Sequence, residues 1–205
     1  MKKVIVGMGT CGLSAGAQEV YNRIEEFHRK NGGDFELTRA GCIGMCYVEP
    51  LVEVREGDRR VIYGEVEPES VEELLEEHIK NGKVIKEKVV LELGTEKEAA
   101  GPQSDFYNLQ TRIVLRNCGS INPEKIDEYE EAGGYQGLRK ALLEMEPDQI
   151  IEEVTESGLR GRGGGGFPTG FKWSLAARNE SDVKYVICNA DEGDPGAFMD
   201  RSLLE

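Results

Sequence analysis

The chain has 205 residues, 39% hydrophobic and 31% charged, with a formal net charge of −14, which is length enough for one or two domains with cores of their own. The acidic balance excludes a nucleic-acid-binding surface, which needs surplus Lys and Arg, and no apolar run reaches the length of a membrane span. Five cysteines, an odd number without secretory context, fit reduced thiols in a cytoplasm, where metal binding outranks disulfides. The start, MKKVIVGMGT, breaks at glycines and reads as a first strand rather than a signal peptide.

KKVIV (2–6) is an apolar run suited to a buried strand, and Ala17, Val20, Tyr21, Ile24 and Phe27 then recur at helical spacing until Gly32-Gly33. FELTR (35–39) reads as a strand, followed by a loop with cysteines and glycines, AGCIGMCYVEP. LVEVR and VIYGEV alternate as half-buried strands around the turn EGDRR, a hairpin. In ESVEELLEEHIKNG, Ser70 and Glu73 make a capping box ahead of the stripe Val71, Leu74, Leu75 and Ile79. This order of strand, helix, strand, hairpin and helix is that of a thioredoxin-like domain at about residues 1–88. Residues 89–110 lose periodicity and read as a linker, and TRIVLRN (111–117) as a short strand. Asn122 caps a helix with Pro123 at its first position, YQGLRKALLEM follows as another, and EPDQIIEEVTESG runs from Pro147 to Gly158. FKWSLAARN is helical, and KYVIC (184–188) is an apolar strand leading into the polar loop NADEGDPGAFMDR. The fold class is therefore α/β (α+β): the thioredoxin-like domain, then part of a second α/β domain at 111–205.

Residues 157–173, SGLRGRGGGGFPTGFKW, hold seven glycines in seventeen positions. They match G-x-G-x-x-G, but a helix precedes them where a dinucleotide fingerprint needs a strand, and no GK[ST] follows. Bare backbone lets N–H groups approach an anion, and the helix beyond turns its positive end toward the same space. Arg160, Arg162 and Lys172 supply countercharge, and Phe167 and Trp173 are flat surfaces for a ring. In the acidic loop, Asn189, Asp191, Glu192 and Asp194 can accept from sugar hydroxyls or ring N–H groups, and their spacing lacks the calcium-loop pattern. Together the two loops suggest a nucleotide.

GLRGRGGGGFPTGFKW (158–173) and CNADEGDPGAFMDR (188–201) resemble the paired signatures of the NADH-binding flavoprotein subunit of respiratory complex I. The diaphorase subunits of NAD(P)-linked and electron-bifurcating hydrogenases and of formate dehydrogenases belong to the same family. RNCGSINPEKIDEYEEAGGYQGLRKAL and the domain before it resemble the hydrogenase-type members especially. The resemblance implies hydride transfer from NADH or NADPH to FMN and onward electron release to iron–sulfur clusters. It implies Gly161, Arg162, Gly163 and Gly164 against FMN, Lys172 by the flavin, and Asn189, Asp191 and Glu192 on the ribityl and isoalloxazine. It also implies Phe167 on the NADH base and Asp194, where many relatives have Glu, near the nicotinamide nucleotide. No side chain acts as acid or base, because the flavin does the chemistry.

The implied partners are other subunits of a hydrogenase, formate dehydrogenase or complex-I-like assembly, including a thioredoxin-like [2Fe–2S] subunit, in the cytoplasm with no membrane insertion. Family members continue beyond this length with a cysteine-rich domain, where any [4Fe–4S] cluster is expected, so the chain resembles an amino-terminal portion. The thioredoxin-like domain of the family carries a [2Fe–2S] cluster on C-x₄-C and C-x₃-C. Here Cys42 and Cys46 give the second pair, but only Cys11 stands at the front, with Gly7 and Gly12 where the pair would align. Two outcomes stand side by side: a cluster completed by a nearby Ser or Asp or by a shifted Cys11 loop, or a cluster-free docking module with an incomplete flavin site. Cys118 and Cys188, each isolated beside an Asn, read as inert thiols.

Overall fold

The computed structural model describes residues 1–32, 34–94, 101–102 and 104–205, which divide into two compact units, Met1–Ala132 with Asp191–Glu205, and Gly133–Ala190. The strands are β1 (Lys2–Gly7), β2 (Phe35–Ala40), β3 (Val52–Glu56), β4 (Arg59–Tyr63) and β5 (Val89–Leu93). The helices among the described residues are α1 (Thr10–Ser14), α2 (Ala17–Asn31), α3 (Val71–Leu74), α4 (Ser104–Asn108), α5 (Ile126–Glu131), α6 (Gln136–Glu144), α7 (Pro147–Glu156), α8 (Thr169–Ala177) and α9 (Met199–Leu204). None is long and apolar enough to cross a membrane.

In the first unit the strands form one sheet in the order β2-β1-β3-β4-β5. β1 and β2 are parallel and joined through α2, whereas the other neighbours are antiparallel. Alternation decides the faces. Val4 and Val6 of β1 pair with Val54 and Val52 of β3, which pair in turn with Val61 and Tyr63 of β4. These residues bury against Val20, Ile24 and Phe27 of α2 and Val71 and Leu74 of α3. Beyond α3 the helix widens into a π-helical turn, Leu75–Lys80, where Leu75 and His78 are both buried. The Tyr63 hydroxyl donates to His78 Nδ1 at 2.7 Å, which satisfies both polar groups in the core.

The opposite face carries Glu53, only 6% exposed. Its carboxylate is held by Arg55 Nε at 2.6 Å and by Arg60 Nη2 at 2.7 Å. Both guanidinium groups also donate to the Gly119 carbonyl, Arg60 Nη2 at 2.9 Å and Arg55 Nη2 at 3.2 Å. A buried carboxylate thus fixes two arginines, and they fix a turn more than fifty residues further along the chain. At that turn a Cβ on Gly119 would run into the Ile43 side chain, and the backbone has a positive φ of 73°, so glycine alone fits.

Several expectations need correction. Residues 89–93 are not linker but the fifth strand, paired with β4. The linker residues 95–100 and 103, and the helix stop at Gly33, lie outside the described residues; Gly32, with φ 59°, donates its N–H to the His28 carbonyl and ends α2. Ser70 makes no cap to α3, because its hydroxyl donates to the Glu67 carbonyl instead. Asn122 receives the Glu124 N–H at 3.0 Å and so closes a turn, while the helix starts later, at Ile126. TRIVLRN forms turns rather than a strand. KYVIC is not a strand either, with Tyr185 83%, Val186 101% and Ile187 85% exposed. An apolar run of this kind pairs as a strand only when both its faces are covered.

In the second unit, α7 opens on a reciprocal cap between Glu146 and Gln149, with the Glu146 N–H donating to the Gln149 side chain at 2.9 Å. Lys140 of α6 reaches Glu153 of α7 at 3.1 Å. α8 packs on α7 at Gly170, where any Cβ would overlap the Thr155 hydroxyl and its backbone, so the two helices meet at main-chain distance.

Two outcomes follow for the first unit. Glu53→Ala leaves two partly buried guanidinium groups without their counter-ion, and urea denaturation should show a loss of about 3 kcal/mol. Glu49 is the second case, because burial pushes its carboxyl up to about 7 against the opposing Leu51 N–H. A carboxyl raised in the folded state contributes stability that is complete below its unfolded value and lost as pH rises through about 7. Between pH 5 and pH 8 the wild-type chain should therefore lose, relative to Glu49→Gln, on the order of 2 kcal/mol after allowance for partial solvent screening. Equal pH profiles for the two proteins would remove Glu49 as the cause.

Candidate functional site

Two chemically distinct places emerge. The first lies in the unit built on the sheet, where the loop after β1 and the loop after β2 bring three thiols together. Cys42 and Cys46 stand 3.7 Å apart, sulfur to sulfur. The Gly44 N–H points at Cys42 Sγ at 3.3 Å. The Cys46 thiol is pushed up to about 12, first by partial burial and then by hydrogen bonding with Cys11 and Cys42. Thiols gathered this tightly resist ionising together, and a cation among them relieves that resistance.

Position 12 cannot supply a further thiol. A Cβ there would press on the Gly7 carbonyl and lie 3.2 Å from Glu49 Oε2, and one at Gly7 would lie 3.3 Å from the same oxygen. The Glu49 carboxylate, bonded to the Leu51 N–H at 2.8 Å, fills the room that a front pair of cysteines would need.

Among the described residues, no group of three or more His, Cys, Asp or Glu side chains converges as a site for a single metal ion. A [2Fe–2S] cluster asks for something else, two pairs of thiolates on two irons. Two thiolates about 2.3 Å from one tetrahedral metal stand about 3.8 Å apart, which the Cys42–Cys46 pair already matches.

The second place is the glycine loop of the other unit. Leu159 and Thr169 bond across its base, with the Thr169 N–H on the Leu159 carbonyl at 2.9 Å, and the Gly161 N–H meets the Phe167 carbonyl at 2.8 Å. Arg160 donates to the Gly166 carbonyl at 3.0 Å and Arg162 to the Arg160 carbonyl at 2.8 Å. The loop is closed by its own backbone, yet a Cβ at Gly163, Gly164, Gly165 or Gly166 would meet nothing within 4 Å. Gly164 and Gly166 also have positive φ, 92° and 58°, so both backbone shape and open space call for glycine here. α8 starts directly after the loop, and Lys172 in its first turn is exposed. Phe167 and Phe171 lie with ring centroids 5.8 Å apart, and Phe167 is half exposed.

Of the residues read from the sequence as nucleotide-binding, Gly161, Arg162, Gly163, Gly164, Phe167 and Lys172 thus share the glycine loop and the helix that follows. Asn189 belongs to the same unit, while Asp191, Glu192 and Asp194 belong to the other. The Glu192 carboxylate accepts the Asp200 N–H at 2.7 Å and so holds the start of α9, with its own backbone at a positive φ of 47°. Sequence reasoning missed Gly170, whose role shows only in the contact with Thr155, and Glu49, which no motif marks.

Residues 154–205 match the family model described as the Nuo51 FMN-binding domain. The NADP-reducing hydrogenase subunit HndC of Solidesulfovibrio fructosivorans is 58% identical over 96 residues, 47% of this chain and 19% of that protein. The NADH-quinone oxidoreductase F subunit of Escherichia coli (strain K12) is 51% identical over 84 residues, 40% of this chain and 19% of that protein. The chain thus spans about a fifth of the length of these relatives. Among solved structures, a thioredoxin-like [2Fe–2S] ferredoxin from Aquifex aeolicus aligns with 44% of this chain and 96% of its own, at 27% identity and a TM-score of 0.41. The chain is thus similar, through residues 154–205, to the Nuo51 FMN-binding domain, and over 40–47% of its length to an NADH-quinone oxidoreductase F subunit and an NADP-reducing hydrogenase subunit.

Proposed function

We propose that this chain belongs to the electron-input flavoprotein of a multi-subunit oxidoreductase, one that oxidises NADH or NADPH with FMN and passes electrons to iron–sulfur centres. The observation that carries it is the closed but open-faced glycine loop, which lies inside the matched FMN-binding segment. When bound, FMN accepts hydride from the nicotinamide and returns electrons singly.

Everything else is done by the chain. The N–H groups of Gly163 and Gly164 and the start of α8 receive the phosphate, Gly161 lies beside it with its own N–H closing the loop on the Phe167 carbonyl, and Arg162 and Lys172 balance the charge. Asn189, Asp191 and Glu192 accept from ribityl hydroxyls and ring N–H groups, Phe167 stacks on the base of the dinucleotide, and Asp194 orients its nicotinamide half. In the sheet-bearing unit, Cys11, Cys42 and Cys46 hold a [2Fe–2S] cluster. The domain division follows the same reading, a thioredoxin-like domain that includes β5 and a flavin-binding region beyond the linker. The partners are the other subunits of a hydrogenase-, formate-dehydrogenase- or complex-I-like assembly, and the location is the cytoplasm.

The purified 205-residue chain, incubated with FMN and desalted, should keep a flavin absorbance that NADH bleaches under argon. A colourless product would turn the reading toward a docking module. Fluorescence titration makes the loop's role quantitative. FMN should bind at least tenfold more tightly than riboflavin, since each charge-assisted bond to the phosphate contributes about 1.5–3 kcal/mol. Arg162→Gln with Lys172→Gln should close most of that gap. Equal affinities in the wild-type chain would reject the phosphate role.

A further inference from the structure

We propose that Cys118 is the fourth thiolate of the [2Fe–2S] centre, so that Cys42 and Cys46 bind one iron and Cys11 and Cys118 the other. This rests on the cluster reading above and names the ligand that the front loop lacks.

Three observations converge on Cys118, all within the unit built on the sheet. Its neighbour Gly119 is clamped by Arg55 and Arg60 and lies against Ile43, the residue next to Cys42, so closely that no Cβ could be added. The turn bearing Cys118 is therefore seated on the Cys42–Cys46 loop. The Cys118 thiol on that turn is partly buried. Finally, consecutive residues of α9 touch the other pair: Arg201 Nη2 lies 3.9 Å from Cys11 Sγ, and Cys118 Sγ points to the Ser202 carbonyl at 3.6 Å. Cys11 and Cys118 thus approach one short helical segment from two different loops.

The donor chemistry suits the assignment. A buried thiol has a weak partner in a carbonyl 3.6 Å away, and iron is a far better one. Glu49, the other candidate for the fourth place, already accepts the Leu51 N–H and occupies the space beside Gly7 and Gly12. Loading replaces four S–H bonds by four Fe–S bonds and releases the four thiol protons, with the two irons supplied as ferric salt and the bridging sulfurs as sulfide, so that neither iron nor sulfur changes oxidation state on assembly.

The 205-residue chain is reconstituted anaerobically with ferric iron and sulfide, and iron content, visible spectrum and dithionite-reduced EPR are recorded. We expect two irons per chain in the wild type and in Cys188→Ser, whose thiol belongs to the other unit. Cys118→Ser should either lose most of the iron or keep it with displaced g-values and Fe–S Raman bands, as for an oxygen-ligated cluster. Mass spectrometry after iodoacetamide labelling tests the wild-type chain without mutation: loading should protect Cys11, Cys42, Cys46 and Cys118 and leave Cys188 reactive. A loaded chain in which Cys118 reacts as fast as in the apo chain, or in which Cys118→Ser leaves the EPR spectrum unchanged, overturns the assignment and leaves the cluster reading standing. A shift on Glu49→Gln with none on Cys118→Ser would move the fourth place to Glu49. A wild-type chain that takes no iron overturns both.

Discussion

The thiol site depends on one buried carboxylate. Glu53 sits on β3, on the sheet face opposite α2 and α3, and its two arginines reach past it to the Gly119 carbonyl. A buried ion pair of this kind adds little net stability over an apolar replacement, because desolvation offsets most of the attraction. What it supplies is position. Apolar side chains at 53, 55 and 60 could bury as well, but they would hold the 118–120 turn in no particular register. Two guanidinium groups converging on one carbonyl oxygen fix that turn, and with it the approach of Cys118 to the Cys42–Cys46 loop.

Glycine serves this chain in two opposite ways. At Gly12, Gly119 and Gly170 there is no room for a Cβ, and the residue is set by close approach of backbone to its neighbours. At Gly163 to Gly166 there is nothing but room. Gly164 and Gly166 are held to glycine by their positive φ, but at Gly163 and Gly165 folding gives no such reason, since alanine at a permitted φ would lower the entropy of the unfolded chain. Bare backbone there leaves the N–H groups open to a ligand's close approach.

The sheet was legible in the sequence because alternation is a local signal: Val4 and Val6, Val52 and Val54, and Val61 and Tyr63 announce their face from within a few residues. The glycine loop was legible for the same reason. What failed were signals whose meaning depends on distant partners. KYVIC has strand composition, but composition supplies no neighbouring strand. Ser70 has the spacing of a cap, but the Glu67 carbonyl takes its hydroxyl. Residues 89–93 lie beside a polar stretch and read as linker, though Ile62 and Tyr63 give them a pairing edge. The turn at Cys118 is a further case: the sequence shows only an isolated thiol beside Asn117, and the Glu53 clamp that fixes its place comes from residues far back in the chain.

Charge explains why the thiols gather where they do. In a chain with a net charge of −14, a cluster of thiolates is an unfavourable addition unless positive groups stand close by. The Gly44 N–H on Cys42 and the Arg201 guanidinium near Cys11 are such groups, one on each side of the site. The Arg201 contribution comes from the helix that follows the acidic loop, and Glu192 of that loop holds the start of that helix in place. The loop assigned to the nucleotide and the cation beside the thiols are therefore mechanically joined through α9. A substitution at Glu192 would then be felt at Cys11, through the position of Arg201 and not through any change in the thiols themselves.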